Sequence, residues 1–283
     1  MDKVKIVVDS CSDLTPELYE KYDLEVLCQN VTFGGKNYRD GIDCTLEELY
    51  ASVKETGELP RTAAVSPAIF EECFKKNIAD GYDVVYVGLG DKLSTTFQNA
   101  FIAKSNCEED RVFLVNSSSL SSGIGLLAMK AAKYRDEGKS ASEIAEICGE
   151  MSKNIVAQFA VETLDYLYKG GRCSGAAALV GKLFHVHPYL KVVDGALVIH
   201  KKPRGPMKIA IDEQLNELKA TMPNVDLDNV MITFAGMDKD IEDYCVSKLS
   251  QIVPKECIKV TRAGAVIASH CGYGTVGILY IKK

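Results

Sequence analysis

Apolar runs alternate with amphipathic stretches through the first half of the chain, as expected of buried strands interleaved with helices. Residues 4–9, 84–90 and 111–115 read as strands, with another around 26–33. Helices are expected near 15–22, 45–54, 67–80, 94–106 and 124–137. Thr15-Pro16-Glu17-Leu18 sets a cap residue before proline at the first helical position, and Thr45-Leu46-Glu47-Glu48 is a capping box. This order predicts a parallel sheet covered by helices on both faces.

Gly138 closes one helix and Ser140 opens another, which runs to about 154 with Ile144, Ile147, Cys148 and Met151 on one face. The texture then changes. Residues 155–162 read as a strand, 164–168 as a helical turn and 176–183 as a helix of small residues. Short strands follow at 189–193 and 196–200, then a basic loop, a helix at 209–222, a strand at 230–235, a helix at 240–251 and two closing strands. The change sets a domain boundary at 152–158, dividing the chain into an N-terminal α/β domain, 1–156, and a C-terminal α/β domain, 157–283.

With 47% hydrophobic and 25% charged residues among 283, the chain can bury a sizeable core. Its 33 basic and 39 acidic side chains give a net charge of −6, the opposite of a nucleic-acid-binding footprint. The 10 cysteines are scattered without a Cys-x-x-Cys pair, as in a cytoplasmic protein with reduced thiols. No secretion signal opens the sequence. Residues 112–129 and 263–281 lack charge, but Asn116, Ser269, His270, Thr275 and many serines and glycines make each a strand plus turn rather than a membrane span.

Ligands of open α/β sheets bind beyond the carboxyl ends of the strands. Here those ends carry hydroxyls: Asp9-Ser10-Cys11-Ser12-Asp13, Leu93-Ser94-Thr95-Thr96 and Asn116-Ser117-Ser118-Ser119. Each serine also reads as a helix cap; together on one rim they suit an anion. Nucleotide motifs fail on context. Gly175 to Gly181-Lys182 is one residue too long for a P-loop and is followed by Leu183. Gly272-Tyr273-Gly274-Thr275-Val276-Gly277 runs into a strand, and Gly123-Ile124-Gly125 opens a helix without a βαβ continuation. His185 and His187 have no cysteine or carboxylate cluster beside them, which disfavours a metal site, and no Gly-x-Ser-x-Gly elbow is present. No cofactor is expected. His270 stands between an apolar run and dense glycines, and Arg172 follows Gly170-Gly171, where it reads as a surface charge or as a carboxylate or phosphate ligand.

These pieces together resemble the DegV family, whose best understood members are bacterial fatty-acid-binding proteins. The resemblance rests on Asp9-Ser10-Cys11-Ser12-Asp13-Leu14, on Thr62 and Ser66 before Pro67, on Leu93-Ser94-Thr95-Thr96-Phe97-Gln98-Asn99-Ala100, on Gly170-Gly171-Arg172-Cys173-Ser174, and on His270 with its glycine-rich tail. It implies two α/β lobes with a long-chain fatty acid between them. Thr62 and Ser94 would bind the carboxylate, with Thr95 in the same run and Arg172 and His270 as polar partners. Ala63-Ala64-Val65 and Thr95-Thr96-Phe97 depart from the family pattern toward a more apolar head-group pocket. The chain is then expected to be no enzyme but an acyl carrier. It would present the carboxylate to a separate fatty-acid kinase and carry the acyl phosphate to an acyltransferase. Alternatives are a lipid-sensing or storage module, or a hydrolase or phosphotransferase using His270. Lys201-Lys202-Pro203-Arg204, with Lys208 close by, reads as a solvated loop or as a docking patch for an acidic partner.

Overall fold

The computed structural model describes residues 3–178 and 185–283. The first half supplies strands β1 (Lys3–Asp9), β2 (Leu24–Leu27), β3 (Asn30–Phe33), β4 (Lys36–Arg39), β5 (Arg61–Ala63), β6 (Tyr82–Gly88) and β7 (Val112–Asn116). Four of them form a parallel sheet in the order β2-β1-β6-β7, and three form a small antiparallel sheet in the order β4-β3-β5. The second half supplies β8 (Ile155–Ala160), β9 (Tyr189–Val193), β10 (Ala196–Lys201), β11 (Val230–Ala235), β12 (Ile258–Arg262) and β13 (Thr275–Ile281). These make one mixed sheet, β10-β9-β8-β13-β11-β12, in which only β11 and β12 run parallel. Helices α1 (Pro16–Lys21), α2 (Leu46–Thr56), α3 (Pro67–Ala79), α4 (Thr96–Lys104), α5 (Ser122–Asp136) and α6 (Ala141–Ser152) accompany the first half, and α7 (Asp165–Lys169), α8 (Met207–Thr221), α9 (Lys239–Leu249) and α10 (Ala265–Cys271) the second.

The period of two along each strand turns these elements into layers. Ile6 and Val8 of β1, with Val85 and Val87 of β6, pack toward α5, while Val7, Val84 and Tyr86 pack toward Phe70 and Phe74 of α3 and Ala100 and Ala103 of α4. On β13 the same alternation sends Leu279 and Ile281 toward α5 and sends Val276, Ile278 and Tyr280 toward Ile211, Leu215 and Leu218 of α8. Helix α5 therefore lies between the two sheets, and every residue from 122 to 132 is buried. A helix apolar on all sides belongs in such a place. Gly123-Ile124-Gly125 is thus part of interlobe packing. One charged side chain on this helix, Lys130, joins the halves by ion pairs to Asp226 at 2.5 Å and Asp228 at 2.7 Å.

The capping boxes at Thr45 and Ser140 form, whereas Thr15 makes no side-chain cap bond. Four expectations need correction. The stretch 26–33 is not one strand, because the Gln29 N–H donates to Ser10 Oγ and its carbonyl accepts from Asp40 N, which takes both groups away from any ladder. The apolar run after 263 is not a strand: residues 265–271 form α10, ended by Gly272 at φ 79°. The run is apolar on every side, and periodicity cannot separate a buried helix from a buried strand. Helix α4 starts at Thr96 rather than Ser94. Of the small-residue helix expected at 176–183, residues 174–178 form a 3-10 turn, and the remainder, with Gly181, Lys182 and Leu183, lies outside the described residues.

Among the described residues no helix is long and apolar enough to cross a membrane, and no group of three or more His, Cys, Asp or Glu could hold a metal. His187 sits 3.2 Å from Glu162, and all ten cysteines are free.

Candidate functional site

Two elements that sequence periodicity did not reveal, β5 and α10, meet at the junction of the halves. Antiparallel pairing sets Thr62 of β5 opposite Val31 of β3, and α10 packs against β3 and β5. Thr62 Oγ1 and His270 Nε2 are 2.9 Å apart across 208 positions of sequence. The Gly170-Gly171-Arg172 turn closes over them. A Cβ on residue 170 would stand 2.5 Å from His270 Nδ1, so only glycine lets the chain pass. Arg172 reaches on from this turn, donating from Nη1 to the Gly170 carbonyl at 2.6 Å and from Nε to the Leu93 carbonyl at 3.3 Å.

Burial first, and the Arg172 charge second, pull the His270 imidazole down from 6.5 to about 4, so it is neutral at pH 7. Its Nδ1 is buried without a hydrogen-bond partner among the described residues. Among the described residues no carboxylate lies within ion-pair distance of Arg172. The site therefore combines an uncompensated cation, a hydroxyl and a neutral imidazole, a set of donors suited to an anion. Ser94 adds a second hydroxyl, partly occupied in capping: its Oγ accepts from Thr96 N at 3.2 Å and lies 2.9 Å from Thr96 Oγ1.

Three spaces with shared lining residues adjoin here. The outer mouth, about 370 Å3, is bordered by Thr62, Asp91, Lys92, Ser94, Thr95 and Arg172. Inside it, Thr62, Ser94, Arg172 and His270 share an inner chamber with Leu93, Leu120, Leu167, Leu197, Val266 and Cys271. Beyond Leu120, Ile267 and Cys271 lies a second chamber, bordered on the mixed sheet by Phe159, Thr233, Ala235, Thr275, Gly277 and Leu279. The chambers have volumes of about 40 and 20 Å3. Cys11 and Cys271 belong to the apolar wall; burial pushes the Cys271 thiol up to about 12 and raises Cys11 strongly.

Of the five residues expected to bind a ligand, Thr62, Ser94, Arg172 and His270 line the inner chamber, and Thr95 borders only the mouth. The hydroxyl clusters at 9–13 and 116–119 do not share that rim. They are largely buried and bonded within the fold, with Tyr86 and the Leu89 N–H donating to Asp9 and Ser121 donating to Asp13. Sequence reasoning missed Gln29, which borders both mouth and chamber and donates to Asp9 and Cys11; its only signal was a polar residue breaking an apolar run. Of the basic run, Lys201 ends β10 and is taken up by Glu213 at 2.7 Å and Glu217 at 3.2 Å, and Lys208, in α8, lies 3.6 Å from Asp240. Lys202 and Arg204 are exposed, with no carboxylate in ion-pair range among the described residues.

A family model described as "Uncharacterised protein, DegV family" matches residues 3–283. A DegV domain-containing protein of Clostridium acetobutylicum is 33% identical over 291 residues, covering 100% of both chains. Among solved structures, a DegV family protein from Thermus thermophilus described as fatty-acid binding aligns at TM-score 0.90 and 29% identity over 100% of each chain. A stearic-acid-binding protein from Eubacterium ventriosum aligns at TM-score 0.85 and 26% identity, over 100% of this chain and 99% of that one. Matched along its whole length in sequence and fold, the chain belongs to the DegV family.

Proposed function

We propose that this protein binds a long-chain fatty acid, with the carboxylate among Thr62, Ser94, Arg172 and His270 and the tail in the two apolar chambers. The observation that carries the reading is the Arg172 guanidinium, which meets no carboxylate among the described residues, at the entrance to two largely apolar chambers. Fatty-acid binding by the Thermus and Eubacterium relatives supports it. Each buried methylene contributes ~0.8 kcal/mol, so about 14 of them give on the order of 11 kcal/mol before the cost of association. The tail dominates affinity and the polar groups fix where the carboxylate points. Protein purified from a bacterial host without added lipid is expected to release a long-chain acid, in roughly equimolar amount, on denaturing extraction and mass spectrometry. No acid recovered, with no thermal stabilisation by any long-chain acid, would remove the reading.

In its finer form the protein is an acyl carrier that presents the carboxylate to a separate kinase and hands an acyl phosphate to an acyltransferase. Ser94→Ala or Thr62→Ala should then reduce phosphorylation of bound acid by such a kinase by at least about tenfold, since each removes a head-group hydrogen bond of about 1–3 kcal/mol, while tail binding changes little. Equal loss of both in a folded variant counts against the carrier role. Lys202 and Arg204 are the free charges of the proposed docking patch. Reversing both to Glu should slow association with the kinase at low salt by at least about tenfold and leave lipid binding intact; unchanged turnover at low salt would sink the patch. A hydrolase built on His270 finds less support, because Nδ1 meets no carboxylate that could orient the ring as a general base.

A further inference from the structure

Helix α10 supplies His270 together with the chamber wall residues Val266, Ile267 and Cys271. At 7 residues it is too short to persist on its own, and the N–H groups of its first turn have no partner within the helix. Its N-cap residue, Gly264, offers no side chain. The missing acceptors come from the other half of the molecule. Asp13 Oδ1 accepts from the Gly264 N–H at 2.7 Å, and Asp40 Oδ1 accepts from the Ala265 N–H at 2.6 Å and the Val266 N–H at 3.4 Å. The second oxygen of each carboxylate is held by its own half: Ser121 Oγ donates to Asp13 and Ser10 Oγ to Asp40. Residue 264 must be glycine for this approach, since a Cβ would stand 2.7 Å from Asp40 Oδ1.

We propose that Asp13 and Asp40 are positioning residues, which cap the His270 helix from across the lobe interface and so fix His270 Nε2 against Thr62 Oγ1. Negative charge at a helix N-terminus also favours the arrangement. A third buried carboxylate provides an internal comparison. Among the described residues, Asp9 accepts hydrogen bonds from Tyr86, Leu89, Cys11 and Gln29, and none from the C-terminal half. Only the effect on ligand rests on the fatty-acid reading; the positioning of His270 does not.

The test follows the imidazole of His270 by NMR across pH in the full-length protein, its signal assigned with His270→Gln. Asp40→Ala removes the cap, and Gly264→Ala pushes the carboxylate away while leaving every acid in place. In both, the His270 midpoint is expected to rise by at least about one unit from near 4 toward its ordinary value, as the helix loosens and water reaches the ring. Stearate affinity should fall roughly tenfold, the scale of a lost cap. Asp9→Asn should lower global stability without moving the His270 midpoint. An unchanged midpoint in folded Asp40→Ala and Gly264→Ala overturns the proposal, as does an equal shift in Asp9→Asn, which would make the effect general loosening. If the wild-type protein binds no acid, the ligand reading fails while the NMR comparison still decides the positioning.

Discussion

Leucine in place of Ala235 is expected to weaken stearate binding by about 100-fold while leaving decanoate within about twofold. Ala235 lies on the floor of the second chamber, past the neck formed by Leu120, Ile267 and Cys271. A leucine there occupies the space that the last methylenes of a long chain need. Four methylenes returned to water cost about 3 kcal/mol, which is roughly a hundredfold in affinity. A shorter acid keeps both its carboxylate contacts and its place in the inner chamber. Overpacking costs about 1–3 kcal/mol of stability, so the variant is compared with the wild type by thermal melting before titration. The carbonyl of residue 235, which accepts from Tyr50 Oη at 2.9 Å, is unaffected by the substitution. Calorimetric titration of the delipidated variant with both acids checks this. Equal losses for the two, or undiminished stearate binding, would mean that the tail does not reach the second chamber.

The contrast between β1 and α10 explains which parts of this molecule could be read from sequence. Strand β1 sets Val4, Ile6, Val7 and Val8 between Lys3 and Asp9, broken only by Lys5, and its alternate side chains feed two different cores. Length and flanking residues are enough to identify such an element. Helix α2 announces itself through the Thr45–Glu48 box. By contrast, α10 has no polar face and no cap of its own, because Asp13 and Asp40 cap it from 251 and 225 positions away. Strand β5 is three residues long and only its pairing with β3 defines it. Thr62 and His270 sit on these two elements. Thr62 was singled out by family resemblance and His270 first by its place between an apolar run and dense glycines, and periodicity could not show their meeting because it depends on contacts between distant segments. The serines after β7 show the reverse error. Their composition suggested a ligand rim, yet Ser117 and Ser119 are buried, and the Ser117 hydroxyl is engaged by the backbone of Ser119. Hydroxyl-rich loops bond to their own backbone as readily as to a ligand.

Acid should expose the neutral imidazole of His270 as a component of stability. Its pKa is about 4 in the fold against 6.5 in the unfolded chain, so above pH 6.5 neither state holds the proton and the contribution is complete. As pH falls from 6.5 toward 4 the unfolded chain takes up a proton that the folded one refuses, and stability is lost. At pH 4.5 the loss comes to about 2.5 kcal/mol. Other groups titrate nearby with different signs. Glu217 and Asp228, lowered to about 2 by their lysine partners, lose their contribution below about pH 4. Asp9, Asp13 and Asp40 are raised by burial, so they weaken the fold at neutral pH and that penalty eases as they protonate. The His270 component is therefore read as a difference between wild type and His270→Gln in urea denaturation at several pH values, both free of lipid. The wild type should lose about 2.5 kcal/mol relative to the variant between pH 7 and 4.5, and a pH-independent difference would count against a buried neutral imidazole. Saturating stearate should shrink the loss in the wild type, because a carboxylate beside the ring favours its protonated form and raises its pKa in the fold. A loss unchanged by stearate would place the head group away from His270.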